Sequence, residues 1–274
     1  MKLFIDSADI EEIQKVLDKG ILEGVTTNPS LIKKAFEKYT KKDKKLDLET
    51  YIKKMLKVCR GKPVSLEVVG DTFEEMVSEG KTIYKKFNPV AKNVYVKIPV
   101  NPCMEKFCSH DADGIKAIKK LSQKKIPVNC TLIFTPEQAL LAAQAGAKIV
   151  SPFVGREDDY IREINHLHFS KEDYFPASGF RKGKKILNDE GIVSGIKLVE
   201  EISAIFKKNK IKTEILAASI RNRRQFRDAA LAGADIVTVP YSVIIELLKH
   251  PKTMEGMSQF TKDSVNEYKK IVRK

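Results

Sequence analysis

The sequence predicts an α/β protein that folds as a single (β/α)8 barrel, with an extra helical segment at its C-terminus and a long loop after the sixth strand. Short β-branched runs alternate with segments of helical periodicity eight times along the chain, and 274 residues is close to the usual length of such a barrel. The alternative is a doubly wound open sheet. It lacks support because no GxGxxG follows any of the predicted strands.

Eight short runs rich in β-branched residues are the candidate strands. They span residues 2–7, 24–28, 63–69, 94–100, 127–134, 148–154, 213–219 and 235–240. The segments between them have helical signals: "ADIEEIQKVLDKG" has an acidic first turn and a terminal glycine, and "TPEQALLAAQAGA" has a proline near its start. Strand and helix therefore alternate in the order that a parallel barrel requires.

Three segments depart from this simple alternation. Residues 34–62 are long enough for a helix and a half after the second strand, and 155–194 form a long insertion between the sixth strand and the next helix. Barrel enzymes elaborate the active-site face in such loops, so 155–194 is a candidate functional segment. The sequence of residues 251–274 predicts a C-terminal helical extension. With no internal repeat and no low-complexity linker, we assign residues 1–274 to one domain.

The charge balance points to an anionic partner. Lys and Arg number 50 against 36 Asp and Glu, a formal net charge of +14, which suits a phosphorylated metabolite, nucleic acid or an anionic surface. The lysines are spread over nearly every predicted helix, without aromatic interleaving or a nucleic-acid reader motif. This distribution is typical of solvated helix faces and argues against nucleic acid as the partner.

The N-terminal residues, the longest apolar runs and the cysteines indicate in which cellular compartment the protein is expected. The N-terminus turns acidic after five residues, and no apolar run approaches the roughly 20 residues of a membrane span. We therefore expect a soluble cytoplasmic protein with no membrane partner, in which Cys59, Cys103, Cys108 and Cys130 are reduced thiols. His166 and His168 form an HxH pair without further ligand motifs, so no metal site is expected.

Alternation along the strands sorts their side chains into two faces. One face is mostly polar or aromatic, and pairs Phe4 with Asp6, Thr26 with Asn28, Ser65 with Glu67, Tyr95 with Lys97, Asn129 with Thr131, Ser151 with Phe153 and Ala217 with Ser219. The other face is mostly apolar, and comprises Leu3, Ile5, Leu66, Val68, Val94, Val96, Ile98, Ile149 and Ile215. We expect the apolar face to pack on the helices and the polar face to point into the barrel.

The polar residues lie late in their strands, where the active site of a (β/α)8 barrel is found. The sequence thus predicts a barrel mouth lined by Asp6, Asn28, Glu67, Lys97, Asn129, Thr131, Ser151 and Ser219. Each has a structural alternative when taken alone: Asp6 as a helix cap, Asn28 before a proline as a turn residue, and Thr131 as an ordinary strand former. Their convergence at seven strand ends favours a functional site.

Lys97 is the candidate nucleophile of this mouth. It lies in the apolar run "NVYVKIPVNP", and no histidine or metal cluster competes for the role. An apolar environment favours the neutral amine, which forms a Schiff base with a carbonyl compound. Asp6 and Glu67 can relay protons, and Asn28, Asn129 and Ser151 can bind a polyol. The alternative is that Lys97 only pairs with Glu67 inside the barrel.

Two arginines suggest that the substrate carries a phosphate. Arg156 follows "SPFVG", and Arg221 lies with Ser219 in "AASIRN", just before a predicted helix. Arginine donors and the N–H groups of a helix N-terminus together bind phosphate well. Surface ion pairs are the alternative role for each arginine.

Seven motifs, "FIDSAD", "GVTTNPS", "SLEV", "VYVKIPV", "NCTLIF", "SPFVGR" and "AASIRN", resemble the transaldolase family in order and spacing over residues 1 to about 250. The resemblance implies a cofactor-free class I enzyme of the pentose phosphate pathway. Such an enzyme moves a dihydroxyacetone unit from sedoheptulose 7-phosphate or fructose 6-phosphate to glyceraldehyde 3-phosphate or erythrose 4-phosphate.

The resemblance also implies roles for individual residues. Lys97 corresponds to the Schiff-base lysine, and Asp6 to the acid/base that handles the C4 hydroxyl proton. Glu67 acts with Thr131 through a water in carbinolamine formation and breakdown. The implied substrate-binding residues are Asn28, Asn129 and Ser151 for the dihydroxyacetone moiety, Phe153, and Arg156, Ser219 and Arg221 for the phosphate.

Related fructose-6-phosphate aldolases are the alternative on the same scaffold. They have Gln at the Glu67 position and Tyr at the Phe153 position, so both positions are of the transaldolase type here. The 155–194 insertion resembles that of the longer family members, whereas the compact N-terminus resembles the small ones, and Ile220 stands where the longer members usually have an aromatic. The resemblance further implies a homo-oligomer.

Overall fold

A computed structural model describes residues 1–41, 45–105 and 108–272, and within these ranges eight parallel strands close into a barrel. Ten strands occur in the described ranges: β1 (Lys2–Asp6), β2 (Gly24–Thr26), β3 (Val64–Glu67), β4 (Val94–Pro99), β5 (Val128–Ile133), β6 (Ile149–Pro152), β7 (Arg181–Lys182), β8 (Lys185–Ile186), β9 (Glu214–Ala217) and β10 (Ile236–Val239). The barrel order is β1-β10-β9-β6-β5-β4-β3-β2, and β7 pairs with β8 in a separate antiparallel hairpin. The predicted (β/α)8 barrel is confirmed.

Helices surround the barrel. They are α1 (Ile10–Leu17), α2 (Pro29–Thr40), α3 (Leu48–Val58), α4 (Phe73–Ala91), α5 (Asp113–Gln123), α6 (Pro136–Ala145), α7 (Val154–Ile164), α8 (Gly195–Lys208), α9 (Arg223–Leu231), α10 (Tyr241–Leu247), α11 (Pro251–Asp263) and α12 (Asn266–Val272). No helix in the described ranges is long and apolar enough to cross a membrane.

Local sequence signals explain where the helices begin and end. Asp9, and not Asp6, caps α1 by accepting hydrogen bonds from two backbone N–H groups of the first turn. Thr135 and Gln138 form a capping box at the start of α6, and Gly146 ends that helix in the left-handed conformation. With Asp9 as the cap, the side chain of Asp6 is free to face the barrel mouth.

The faces of the strands largely follow the predicted alternation. Residues such as Ile5, Val96 and Ile98 pack with the helices in the main apolar core. A second apolar cluster fills the barrel interior and consists of Phe4, Ile149, Leu216, Ala218 and Ile236, with Tyr95 and Phe153 packed against it. The inward-facing polar side chains of the strands therefore share the barrel interior with this small apolar cluster.

Two assignments of side-chain direction are wrong. The sequence-based assignment places Ile149 on the face toward the helices, but Ile149 has the same parity as Ser151 and lies inside the barrel. The same assignment places Ala217 on the inward face, but Ala217 packs with the helices. Strand β9 ends at Ala217, and Ser219 has a φ of 59°, so the regular alternation cannot be counted back from Ser219 into the strand.

The two predicted additions both contain defined structure. The 155–194 segment begins with α7 and continues through a loop with the short β7–β8 hairpin, held by an apolar cluster of Ile161, Phe175 and Leu187. Beyond residue 250, α11 and α12 form the C-terminal extension, and no described side chain of either helix is buried.

The expectation of four reduced thiols is wrong for one pair. Cys103 and Cys108 form a disulfide in the loop between β4 and α5, where the chain brings their Cα atoms to 6.1 Å, a separation that a disulfide can span. Cys59 and Cys130 are free and buried.

Candidate active site

Lys97 lies at the centre of the barrel mouth. It is 5% exposed, and its Nζ lies 3.1 Å from Oε2 of Glu67 and donates a hydrogen bond to the backbone oxygen of Thr27 at 3.2 Å. The contact with Glu67 follows from register, because these two residues are direct partners on the adjacent strands β3 and β4. The predicted amine and one predicted carboxylate therefore meet.

A cavity of about 100 Å³ opens over Lys97 at the C-terminal ends of the strands. Its walls include seven of the eleven predicted site residues: Asp6, Asn28, Lys97, Ser151, Phe153, Arg156 and Ser219. A larger cavity of about 640 Å³ lies beside it, between α2 and the start of α10, and Asp6 belongs to the walls of both.

Asp6 faces this cavity from the end of β1. Its Oδ1 accepts a hydrogen bond from Thr26 Oγ1 at 2.7 Å. Burial raises the pKa of the Asp6 carboxyl above its ordinary value, while the Thr26 hydrogen bond and the positive charges of Lys97 and Arg156 act in the opposite direction. A carboxyl of this kind holds a proton at higher pH than an exposed aspartate, which suits an acid/base group.

Asn129 and Ser151 form a buried polar pair beneath the cavity. Ser151 Oγ donates to Asn129 Oδ1 at 2.6 Å, and Asn129 Nδ2 donates to Ser65 Oγ at 3.1 Å. Asn129 is fully buried, so it orients Ser151 rather than lining the cavity wall itself. Thr131 is also fully buried, and its Oγ1 has no hydrogen-bond partner among the described residues.

Asn28 combines a structural and a site position. Its Oδ1 accepts a hydrogen bond from the backbone N–H of Leu31 at 2.9 Å, which caps α2, and Pro29 occupies the first helical position. The turn role considered for Asn28 is therefore present. The same side chain lines the cavity.

The two predicted arginines lie in different environments. The guanidinium of Arg156 lies 5.2 Å from the ring centre of Phe153 and faces the cavity. Arg221 stands behind the cavity wall, where both its terminal nitrogens donate to the carboxylate of Asp159. The structure thus places Arg156 at the mouth and Arg221 in an ion pair next to it.

Thr238 is a residue of the mouth that the sequence-based prediction does not include. Thr238 lines the cavity and its Oγ1 lies 2.7 Å from Thr26 Oγ1. The alternation in "DIVTVP" contains the signal, because Thr238 shares its parity with the inward-facing Ile236.

A group of buried acids on α7 was also missed. Burial raises the pKa of Glu157 to about 8 and that of Asp158 to about 7. Asp158 accepts hydrogen bonds from Gly195 N and Gln225 Nε2, both at 2.8 Å, whereas the carboxylate of Glu157 has no hydrogen-bond partner among the described residues. These acids lie directly after Arg156, at the start of the 155–194 segment, for which the sequence predicts a long loop and no buried helix.

The chemistry available at the mouth is that of an amine and two carboxyl groups. Among the residues that the structure describes, no three His, Cys, Asp or Glu side chains lie close enough to hold a metal ion. Lys97 can attack a carbonyl carbon, and the carboxyl groups of Glu67 and Asp6 near it can transfer protons.

Comparison with known proteins gives a consistent result. Residues 3–273 match the sequence model of the transaldolase/fructose-6-phosphate aldolase family. A probable transaldolase of Thermoplasma volcanium is 40% identical over 266 residues, covering 96% of this chain and 95% of that protein. Probable transaldolases of Aquifex aeolicus and Nitrosopumilus maritimus are 39% and 40% identical, and each match covers 96% of this chain and at least 94% of the relative.

Proposed function

Since the chain belongs to the transaldolase/fructose-6-phosphate aldolase family and is an enzyme of the aldolase and transferase type, we propose that it is a transaldolase that works through a Schiff base on Lys97. The donor is a ketose phosphate, sedoheptulose 7-phosphate or fructose 6-phosphate. The acceptor is an aldose phosphate, glyceraldehyde 3-phosphate or erythrose 4-phosphate, as in the pentose phosphate pathway.

The observation that carries this proposal is the position of the Lys97 amine. It is buried, it reaches the cavity, and it contacts a carboxylate that can take up its proton. Attack of the neutral amine on the ketose carbonyl carbon gives a carbinolamine. Loss of that hydroxyl as water, with a proton supplied from the Glu67 side, then gives the iminium.

Carbon–carbon cleavage requires a base on the other side of the substrate. In the proposed mechanism Asp6 takes the proton of the C4 hydroxyl, the C3–C4 bond breaks, and its electron pair moves into the iminium to form an enamine. An aldose phosphate leaves, and the enamine adds to the acceptor aldehyde by the reverse steps. The raised pKa of Asp6 supports this role, since the same carboxyl must return the proton during addition.

The remaining predicted residues bind the substrate in this proposal. Asn28 and Ser151 line the cavity beside Lys97 and can hold the hydroxyl groups of the dihydroxyacetone unit, with Asn129 orienting Ser151. Thr131 is assigned with Glu67 to the water that enters and leaves at the carbinolamine. Arg156, Ser219 and Arg221 are assigned to the phosphate, and Phe153 supports Arg156 from below.

Fructose-6-phosphate aldolase activity is the second candidate, because the matched family includes both enzymes. The two activities differ in what happens to the enamine after the first aldehyde leaves. The test is turnover of fructose 6-phosphate with and without erythrose 4-phosphate. Transaldolase predicts sedoheptulose 7-phosphate formation only with the acceptor, whereas steady release of dihydroxyacetone without it would favour the aldolase.

The C-terminal helices support the proposal that the enzyme is a homo-oligomer. Met254, Met257 and Phe260 follow one face of α11, and each is more than 60% exposed. After a break in the helix at Ser264, Val265, Tyr268 and Ile271 repeat the three-residue spacing just before and within α12, and each is more than half exposed. Exposed apolar stripes of this kind are normally covered in solution, and we assign them to contact with further copies of the chain.

A further inference from the structure

Arg221 is held in place by three oxygen atoms that lie outside the cavity. Its Nη1 donates to Asp159 Oδ1 at 2.6 Å, its Nη2 donates to Asp159 Oδ2, and Nη1 also donates to the backbone oxygen of Lys171 at 3.0 Å. Asp159 lies on α7 and is only 9% exposed, so this ion pair is largely shielded from solvent. Lys171 belongs to the connecting segment 165–194.

The other edge of the same guanidinium lies against the first turn of α7. A Cβ built on Gly155 would lie 2.8 Å from Nε of Arg221 and 3.1 Å from its Cζ. No larger residue leaves Arg221 in this position without a shift. Gly155 directly precedes Arg156, which lines the cavity, so this edge of Arg221 packs against the turn that carries Arg156.

The hydrogen bonds to Asp159 and Lys171 use only some of the N–H donors of the Arg221 guanidinium. A guanidinium has five N–H groups, and these contacts use both hydrogens of Nη1 and one of Nη2. The N–H of Nε and the second N–H of Nη2 have no acceptor within the described part of the chain. These two lie side by side and form the planar fork that matches two oxygens of a phosphate.

We infer that Asp159 is a positioning residue for the phosphate of the substrate: it fixes Arg221 beside the cavity with the Nε–Nη2 fork unpaired within the described residues, and segment 165–194 completes this hold through Lys171. The inference rests on the phosphate role proposed above for Arg221. A fork that is fixed beforehand loses less side-chain freedom on binding, so the hold on Arg221 raises the affinity for phosphorylated substrates in particular.

The test compares Asp159→Asn with the wild type on glyceraldehyde 3-phosphate and on unphosphorylated glyceraldehyde as acceptors. We expect KM for glyceraldehyde 3-phosphate to rise at least fivefold, while kcat with this acceptor changes less than threefold. With glyceraldehyde as acceptor, kcat/KM should also change less than threefold. Glu49→Gln, which breaks the ion pairs of Glu49 with Lys53 on α3 and with Lys86 on α4, is the control and should change none of these values. An equal loss on both acceptors, a smaller rise, or a fall in KM overturns the inference.

A double-mutant cycle tests whether Asp159 acts through Arg221. In an Arg221→Lys background, adding Asp159→Asn should change KM for the phosphorylated acceptor less than threefold, because the fork is already lost. If the increase in KM of the double variant equals the product of the increases in the two single variants, the inference is contradicted. If Asp159→Asn does not fold, Asp159→Glu keeps the charge but displaces the carboxylate, and the same fivefold threshold applies to it.

Binding of inorganic phosphate separates this inference from the proposed function. Titration calorimetry measures it without turnover, and Asp159→Asn should raise the Kd for phosphate at least fivefold. An inactive wild type that still shows this rise would contradict the transaldolase proposal and leave the positioning role supported. An active wild type with a Kd that does not respond to Asp159→Asn would overturn the positioning role alone.

Discussion

The amine of Lys97 lies 3.1 Å from the carboxylate of Glu67, its direct partner on the neighbouring strand. Their side chains are 7% and 15% exposed, so the pair is shielded from bulk water. The sequence left open whether Lys97 only pairs with Glu67 or acts as a nucleophile. The contact is compatible with both roles of Lys97. The carboxylate of Glu67 can form an ion pair with the ammonium group, and it is also close enough to accept a proton from it, which would give the nucleophilic amine.

Replacing Glu67 by glutamine should slow the reaction at the steps before the iminium. The amide keeps the shape of the side chain but cannot accept the proton, and loss of a general acid/base group typically costs on the order of 10²-fold in rate. We expect kcat to fall by about this factor with KM for fructose 6-phosphate changed little. Steady-state kinetics of Glu67→Gln give the answer, and a kcat close to that of the wild type would remove Glu67 from the proposed relay.

Removing the charge of Arg156 should move the pH profile of catalysis. This charge lowers the pKa of Asp6 against the effect of burial, so in Arg156→Gln the pKa of Asp6 should rise further. The limb of the kcat/KM profile that reports Asp6 deprotonation should then shift to higher pH. KM for phosphorylated substrates should rise as well, because a phosphate donor is lost. A profile that does not move would show that this limb does not belong to Asp6.

The carboxyl of Glu157 should make the protein less stable as the pH rises. Burial raises its pKa to about 8, so between roughly pH 4.5 and 8 the unfolded chain loses this proton while the folded protein keeps it. The free energy of unfolding therefore falls with rising pH across this window. Glu157→Gln should flatten the fall and stabilise the protein at pH 9 by at least about 1 kcal/mol, with little effect near pH 4.

Denaturant unfolding at the two pH values measures this effect. The matched control is Glu163→Gln on the exposed side of the same helix, which should leave the pH dependence unchanged. A Glu157→Gln protein with the wild-type dependence on pH would mean that Glu157 is ionised at little cost in the folded state.

Charges on the apolar stripe of the C-terminal helices should weaken self-association. A double variant with Met257→Glu and Phe260→Glu places two carboxylates on the exposed face of α11 and should shift the mass in sedimentation equilibrium toward the single chain. Gln259→Glu on the opposite side of this helix is the control. Unchanged assembly in the double variant would place the subunit contact elsewhere.

Much of the fold follows from patterns that are local in sequence. Alternation of strand and helix predicts the barrel, and alternation within strands places Phe4, Tyr95 and Phe153 inside it. These rules depend only on regular backbone geometry. They fail at Ser219, where a φ of 59° breaks the alternation after β9.

Contacts between distant segments could not be predicted in the same way. Asp159 and Arg221 are 62 residues apart, and neither residue type identifies the other as its partner. Glu157 looks like part of a polar surface run, yet it is fully buried because segment 165–194 covers α7. The disulfide of Cys103 and Cys108 is local, with a sequence separation of 5 between the two positions, but it depends on the course of the β4–α5 loop, which the spacing does not indicate. The sequence thus predicts the residues of the mouth better than the contacts that support them.

The most direct test of the Schiff-base mechanism is borohydride reduction in the presence of fructose 6-phosphate, followed by peptide mass spectrometry. Reduction converts the iminium into a stable secondary amine, so the substrate-derived mass should appear on the peptide that contains Lys97. Lys97→Ala should give no adduct, and Lys34→Ala, in the wall of the neighbouring cavity, should give the wild-type amount. Absence of an adduct, or an adduct on a different lysine, would contradict the mechanism.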